Sequence, residues 1–125
     1  MQSDDVSDCV REFIFNCIDS VQQLDILRLA RIDPARGWTS HVVSSELRSN
    51  PALISRRLES LEQLHLLVQR SDHPGLFFYN PGDEQTEQTI AEMLDEYQIR
   101  PHRILELIYS QLKKGRDFAD AFQMG

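Results

Sequence analysis

Between Asn50 and Tyr79 the chain changes its hydrophobic period once, from that of a helix to that of a hairpin, and this constrains the fold more than any other feature. Pro51 falls at a first helical position, where a missing N–H is no loss, and the Asn50 side chain is placed to cap the free amides behind it. Ile54, Leu58 and Leu61 then recur at spacings of four and three. They form one apolar stripe, while Ser55, Arg56, Glu59 and Gln63 fall on the opposite face. An amphipathic helix running directly into a two-stranded hairpin is expected.

This run resembles the recognition helix and wing of bacterial winged helix-turn-helix transcriptional regulators. In that family a Ser-Arg-Arg-Leu core is followed by Leu, a tight turn, a strand and a Gly-tipped hairpin. The matching parts are Ser55, Arg56, Arg57, Leu58 and Leu61, a strand from Leu66 to Arg70, the turn Ser71-Asp72-His73-Pro74-Gly75, and a returning strand from Leu76 to Tyr79. The likeness extends upstream through Trp38-Thr39 and a helix ending at Leu47. One residue departs from it. His65 stands where the family usually places Gly, and a non-Gly residue with positive φ is uncommon although His is tolerated better than most. Either His65 is strained or the helix ends differently.

The resemblance implies a mainly α fold with a small β-hairpin: a winged helix-turn-helix core carrying extra N- and C-terminal helices. It also implies duplex DNA as the partner, with the helix 51–64 in the major groove and the wing 66–79 on the backbone or minor groove. The DNA-facing residues would be Ser49, Asn50, Ala52, Leu53, Ser55, Arg56 and Arg57, with Arg70 and His73 from the wing. Arg56, on the outer face, can take a phosphate or reach a guanine edge, or simply pair with Glu59 or Glu62. Arg57 is placed to lay its stem along the helix flank. At Leu53 the family has a small polar residue; Leu would touch a thymine methyl, or anchor another protein. Asp72 makes the wing tip less basic than most, and Trp38 is read as core.

Around this segment the chain is helical. From Asp4 to Ile18, Val6, Cys9, Val10, Phe13, Ile14 and Cys17 keep three-four spacing, with Asp4 and Asp5 at the positive helix end. Ser20 and Gln23 form a capping box for a second helix, Val21 to about Ile32, which stops before Pro34. Thr39 caps a helix through Arg48, and Trp38 adds a short edge strand. After Asn80-Pro81-Gly82, six acids and no base occur between Asp83 and Glu96, with Ile90, Met93, Leu94 and Tyr97 as an apolar stripe. Pro101 interrupts, and Ile104, Leu105, Ile108 and Leu112 carry the helical period to Lys113-Lys114-Gly115, beyond which Phe118 and Phe122 make a short amphipathic turn. Three segments follow: an N-terminal amphipathic helix over 1–19, the core over 20–82, and C-terminal helices over 83–125.

Charge tests the DNA reading. The chain carries −7, which argues against a nonspecific nucleic-acid binder, because Lys and Arg neutralising phosphates supply most of that affinity. The charge is uneven, however: Leu24 to Gly82 holds seven Arg against six acids, so the deficit belongs to the terminal helices. Binding by one copy should be weak. The stripes Val6-Val10-Phe13-Cys17 and Ile104-Ile108-Leu112 are too extensive for a small core to cover, so they are assigned to a homodimer interface.

Other classes find little support. A hydrophobic fraction of 41% and a charged fraction of 26% are ordinary for a soluble globular chain. The amino terminus is acidic and no apolar run approaches the ~20 residues of a span, so a cytoplasmic protein without membrane contact is expected. Cys9 and Cys17, eight apart on one helix, lie roughly 12 Å from each other and cannot bridge while the helix is intact. His41, His65, His73 and His102 show no metal-ligand spacing, and there is no phosphate-cradling loop or nucleophile elbow. No catalytic role, metal or cofactor is expected. The expectation is a dimeric DNA-binding transcriptional regulator. The alternative is a winged-helix protein-interaction module that reads no DNA, and a ligand or thiol sensor would need a pocket between the terminal helices.

Overall fold

A computed structural model describes residues 6–110, which form six helices and one two-stranded antiparallel sheet. The elements are α1 (Asp8–Cys17), α2 (Val21–Ile32), α3 (Ser40–Leu47), α4 (Pro51–Gln63), β1 (Leu67–Arg70), β2 (His73–Tyr79) and α5 (Glu84–Ile99), with α6 over 101–110. The mainly helical composition with a small hairpin agrees with the sequence reading. Two compact units are present: Gln22–Glu87, and a terminal unit that joins Met1–Val21 to Gln88–Gly125. None of the described helices is long and apolar enough to cross a membrane.

Within Gln22–Glu87, local chemistry sets each boundary. The Thr39 hydroxyl accepts from the Val42 amide at 3.1 Å and starts α3, which ends one residue before the expected Arg48. Arg48 itself is left-handed at φ +53. Asn50 Oδ1 accepts from the amides of Ala52 (2.8 Å) and Leu53 (3.3 Å), and Pro51 follows as the first residue of α4. Two amides that α4 cannot satisfy internally are thereby capped. Ile54, Leu58 and Leu61 are its buried stripe, each contributing about 1.5–3 kcal/mol by leaving water.

Helix α4 stops at His65, which is left-handed at φ +65. The His65 amide donates to the Glu62 carbonyl at 2.9 Å and the Leu66 amide to the Leu61 carbonyl at 3.0 Å. This is a Schellman cap, ordinarily built on Gly because a Cβ is penalised in this conformation. Of the two alternatives raised by the sequence, a strained His65 is the one observed. The cap reverses the chain and delivers Leu66 and Leu67, both buried, to the hairpin.

Leu67, Val68 and Gln69 pair with Tyr79, Phe78 and Phe77, and the Asn80 amide donates to the Leu66 carbonyl at 3.0 Å to close the base. Register then shifts, so that Arg70 faces His73. The expected five-residue turn is replaced by a tight reversal at Ser71-Asp72 and an outward bulge over 74–76. Gly75, at φ +89, accommodates this bulge, and its amide donates to Gln69 Oε1 at 2.7 Å in place of a ladder bond. Trp38 joins the same sheet through a two-bond bridge with Phe77, at 2.9 and 2.8 Å.

In the terminal unit, α1 begins at Asp8 rather than Asp4, because the Ser7 hydroxyl accepts from the Val10 amide at 3.3 Å; Asp4 and Asp5 lie outside the described residues. Helix α5 buries Thr89, Ile90, Met93 and Leu94, and the chain breaks at Arg100 so that Pro101 opens a new helix rather than kinking a long one. The proposed dimer residues require correction. Val6, Val10, Ile104 and Ile108 are 9, 0, 0 and 1% exposed within a single chain, so they are core and offer no face to a second copy. Phe13 and Cys17 are half-buried, because the inward face of α1 is Val10 and Ile14, continued by Ile18. Leu112, like Lys113, Lys114, Phe118 and Phe122, lies outside the described residues.

Candidate nucleic-acid interface

The turn 48–50, α4 and the hairpin carry every residue that the sequence marks for DNA contact. Asn50 and Ala52 are exposed at the start of α4, and Arg56 is exposed one turn further along. Among the described residues Arg56 forms no ion pair. Glu62, one of its expected partners, instead accepts from Gln69 Nε2 at 3.1 Å. The Arg56 guanidinium therefore keeps its donors available to an external acceptor.

Ser49 and Arg57 are different. Gln22 of α2 donates through Nε2 to the Ser49 hydroxyl at 2.5 Å, while its Oε1 accepts from Arg57 Nε at 3.4 Å. One amide thus ties the turn and α4 to α2, and both residues are half-buried. They hold the helix in place and are less able than Arg56 to reach a ligand. Next to this tether, Gln23 is buried and donates to Ser60 Oγ of α4 at 3.5 Å. Ser55 and Leu53 are also half-buried, so Leu53 is not the fully outward residue that the helical spacing suggested.

On the hairpin, Arg70 is exposed and its guanidinium carbon sits 4.1 Å from the Phe78 ring centroid. Stacking of this kind is worth about 0.5–1 kcal/mol at an exposed site, and it orients the guanidinium while leaving its edge N–H groups free. His73 is exposed, with Nε2 3.7 Å from Asp72 Oδ2. Gln69 couples hairpin to helix: its oxygen holds the bulge through Gly75 and its nitrogen reaches Glu62 of α4. The hairpin is thus tied to α4 through Gln69 and Glu62 as well as through its base.

Several participants were not singled out from the sequence. Arg36 stacks over the Trp38 ring at 3.8 Å, which adds an oriented guanidinium beside the sheet. Trp38 itself is buried, as expected of a core residue. The arginine density of the segment was the available signal, but a cation-π partner is visible only in three dimensions. At the other end of the sheet the Tyr79 hydroxyl donates to Glu87 Oε1 at 2.5 Å, and Arg31 donates to Glu87 Oε2 through Nε (3.0 Å) and Nη2 (2.8 Å). Burial, reinforced by Glu87, pushes the Tyr79 hydroxyl far up. For Glu87 desolvation pulls upward, but the bonds from Arg31 and Tyr79 outweigh it and hold the carboxyl below its usual range. This clasp joins α2, β2 and the first turn of α5 at their ends.

The arrangement can accept anions along an exposed helix face and from a hairpin whose arginine is pre-oriented. Comparison with protein-family models, with curated proteins and with solved structures finds no match.

Proposed function

We propose that residues 22–87 are a winged helix-turn-helix module that binds duplex DNA, with α4 in the major groove and the hairpin on the backbone or minor groove, and that the protein regulates transcription. One observation carries the reading. Two capped helices joined by the short turn 48–50 lead straight into a bulged hairpin bridged to Trp38, and this connectivity leaves Arg56 and Arg70 exposed on successive elements. The N-terminal turn of α4, with Asn50 and Ala52 exposed, is where a groove-seated helix makes base contacts.

Dimerisation stays in the proposal because the segment is close to neutral and two half-sites would double its phosphate contacts. Of the surface assigned from sequence, Val6, Val10, Ile104 and Ile108 are buried within the chain; among the described residues of the terminal unit the exposed large apolar side chains are Phe15, Ile99 and Tyr109. The protein-interaction reading is weakened by Leu53, which is already half-covered by its own chain.

The test is fluorescence anisotropy of the full chain on genomic DNA fragments selected for binding, repeated across a salt series. Wild type should lose affinity steeply with salt. Arg56→Ala should cost roughly 1–3 kcal/mol where it reads a base, and Arg70→Ala should weaken binding evenly across sequences while lowering the salt slope by about 1. Affinity unchanged in the double variant would exclude DNA from this surface.

A further inference from the structure

The terminal unit contains a cleft of about 580 Å³ between the start of α1 and one face of α6. Its size is that of a small-molecule site, which typically spans about 300–1,000 Å³. Arg11, His102 and Arg103 supply basic groups, Glu106 and Ser110 supply acceptors, and Val6 and Leu107 supply apolar wall. No part of the DNA reading uses these residues.

Arg11 is the informative one. Its Nη2 donates to the Val6 carbonyl at 3.3 Å, which pins the guanidinium, while Nε is buried and has no partner among the described residues. A buried donor left unmatched costs about 1–3 kcal/mol, and a small shift of the Arg11 side chain toward the cleft would let a ligand oxygen satisfy it. The side of a guanidinium that carries Nε presents two parallel N–H groups, the spacing of a carboxylate's two oxygens. Across the cleft Arg103 and Glu106 form no ion pair with described residues. Among the lining side chains two guanidiniums stand against one carboxylate, an excess of one positive charge that Glu96, which interacts electrostatically with Arg103 and His102 from outside the lining, reduces. A monoanion balances it, whereas a dianion such as phosphate would be opposed by Glu106.

We propose that this cleft binds a small organic monocarboxylate, held by Arg11 and Arg103 with its apolar body against Val6 and Leu107. Isothermal titration of the full chain with hexanoate and benzoate, each paired with its neutral amide, and with inorganic phosphate tests the assignment. One of the two carboxylates should bind at least about tenfold more tightly than its amide and than phosphate, and Arg11→Gln and Arg103→Gln should each weaken it by about tenfold. Failure of both carboxylates to saturate below about 10 mM, equal binding of an amide, equal binding of phosphate, or unchanged affinity in the double variant would overturn it. Should Arg11→Gln not fold, Leu107→Trp fills the cleft with every charge retained and must abolish binding. Binding that persists in that variant overturns the assignment equally.

Discussion

Replacing His65 by Gly should make the protein more stable, against the usual direction of a substitution to Gly. At φ +65 an L-residue suffers roughly 1–2 kcal/mol of contact between Cβ and its own carbonyl, and Gly suffers none. The two cap bonds, Glu62 to His65 and Leu61 to Leu66, are made by backbone atoms and survive the change. His65 is exposed and engages no described side chain, so no tertiary contact is lost. Against this, Gly has more conformational freedom to lose from the unfolded chain, about 0.4–1 kcal/mol. The net gain is about 0.5–1 kcal/mol, or a rise of roughly 2–5 °C in Tm for a domain of this size. Thermal and urea unfolding followed by circular dichroism measure it, with His65→Val as the contrast, since a β-branched residue tolerates positive φ worst. A Tm that falls for Gly, or that rises equally for Val, would refute the strained-cap reasoning and with it the way α4 hands the chain to the hairpin.

Three further outcomes follow from other residues. Arg48→Gly relieves the second left-handed residue, at φ +53; it should raise Tm, yet weaken DNA binding if Arg48 contacts a phosphate, so the two assays move in opposite directions. Gly37→Ala should destabilise by about 1–3 kcal/mol, because a Cβ there would lie 2.7 Å from Phe78 Cζ and 3.2 Å from Leu76 Cβ; unchanged urea unfolding would mean that the ring yields freely. The folded Glu87 carboxyl titrates below its unfolded value because Arg31 and Tyr79 hydrogen-bond to it, so its stabilising contribution is complete above the unfolded pKa and is lost as pH falls through the folded one. Glu87→Gln should therefore flatten the acid limb of a Tm-against-pH curve, and an unaltered limb would place the acid sensitivity elsewhere.

Much of the core unit was legible in sequence because its signals are local. Pro34 follows the end of α2, Asn50-Pro51 starts α4, and the spacing of Ile54, Leu58 and Leu61 identifies its inward face, since capping and amphipathicity act within a turn or two of chain. Trp38 as core and short edge partner was legible for the same reason. Tertiary structure decided what those signals leave degenerate. Helix α1 carries apolar side chains on several faces, so three-four spacing admits Val10-Phe13-Cys17 as readily as Val10-Ile14-Ile18, and only packing selects the second. Sequence likewise could not reveal that Val6, Val10, Ile104 and Ile108 are covered within one chain, because their burial depends on contacts among residues distant in sequence. The hairpin bulge rests on Gln69 reaching Gly75, the Gln22 tether spans α2 to α4, and the Arg11 cleft draws on both ends of the chain. Each is a meeting of side chains without a local period, so its energy exists only once the backbone has brought them together.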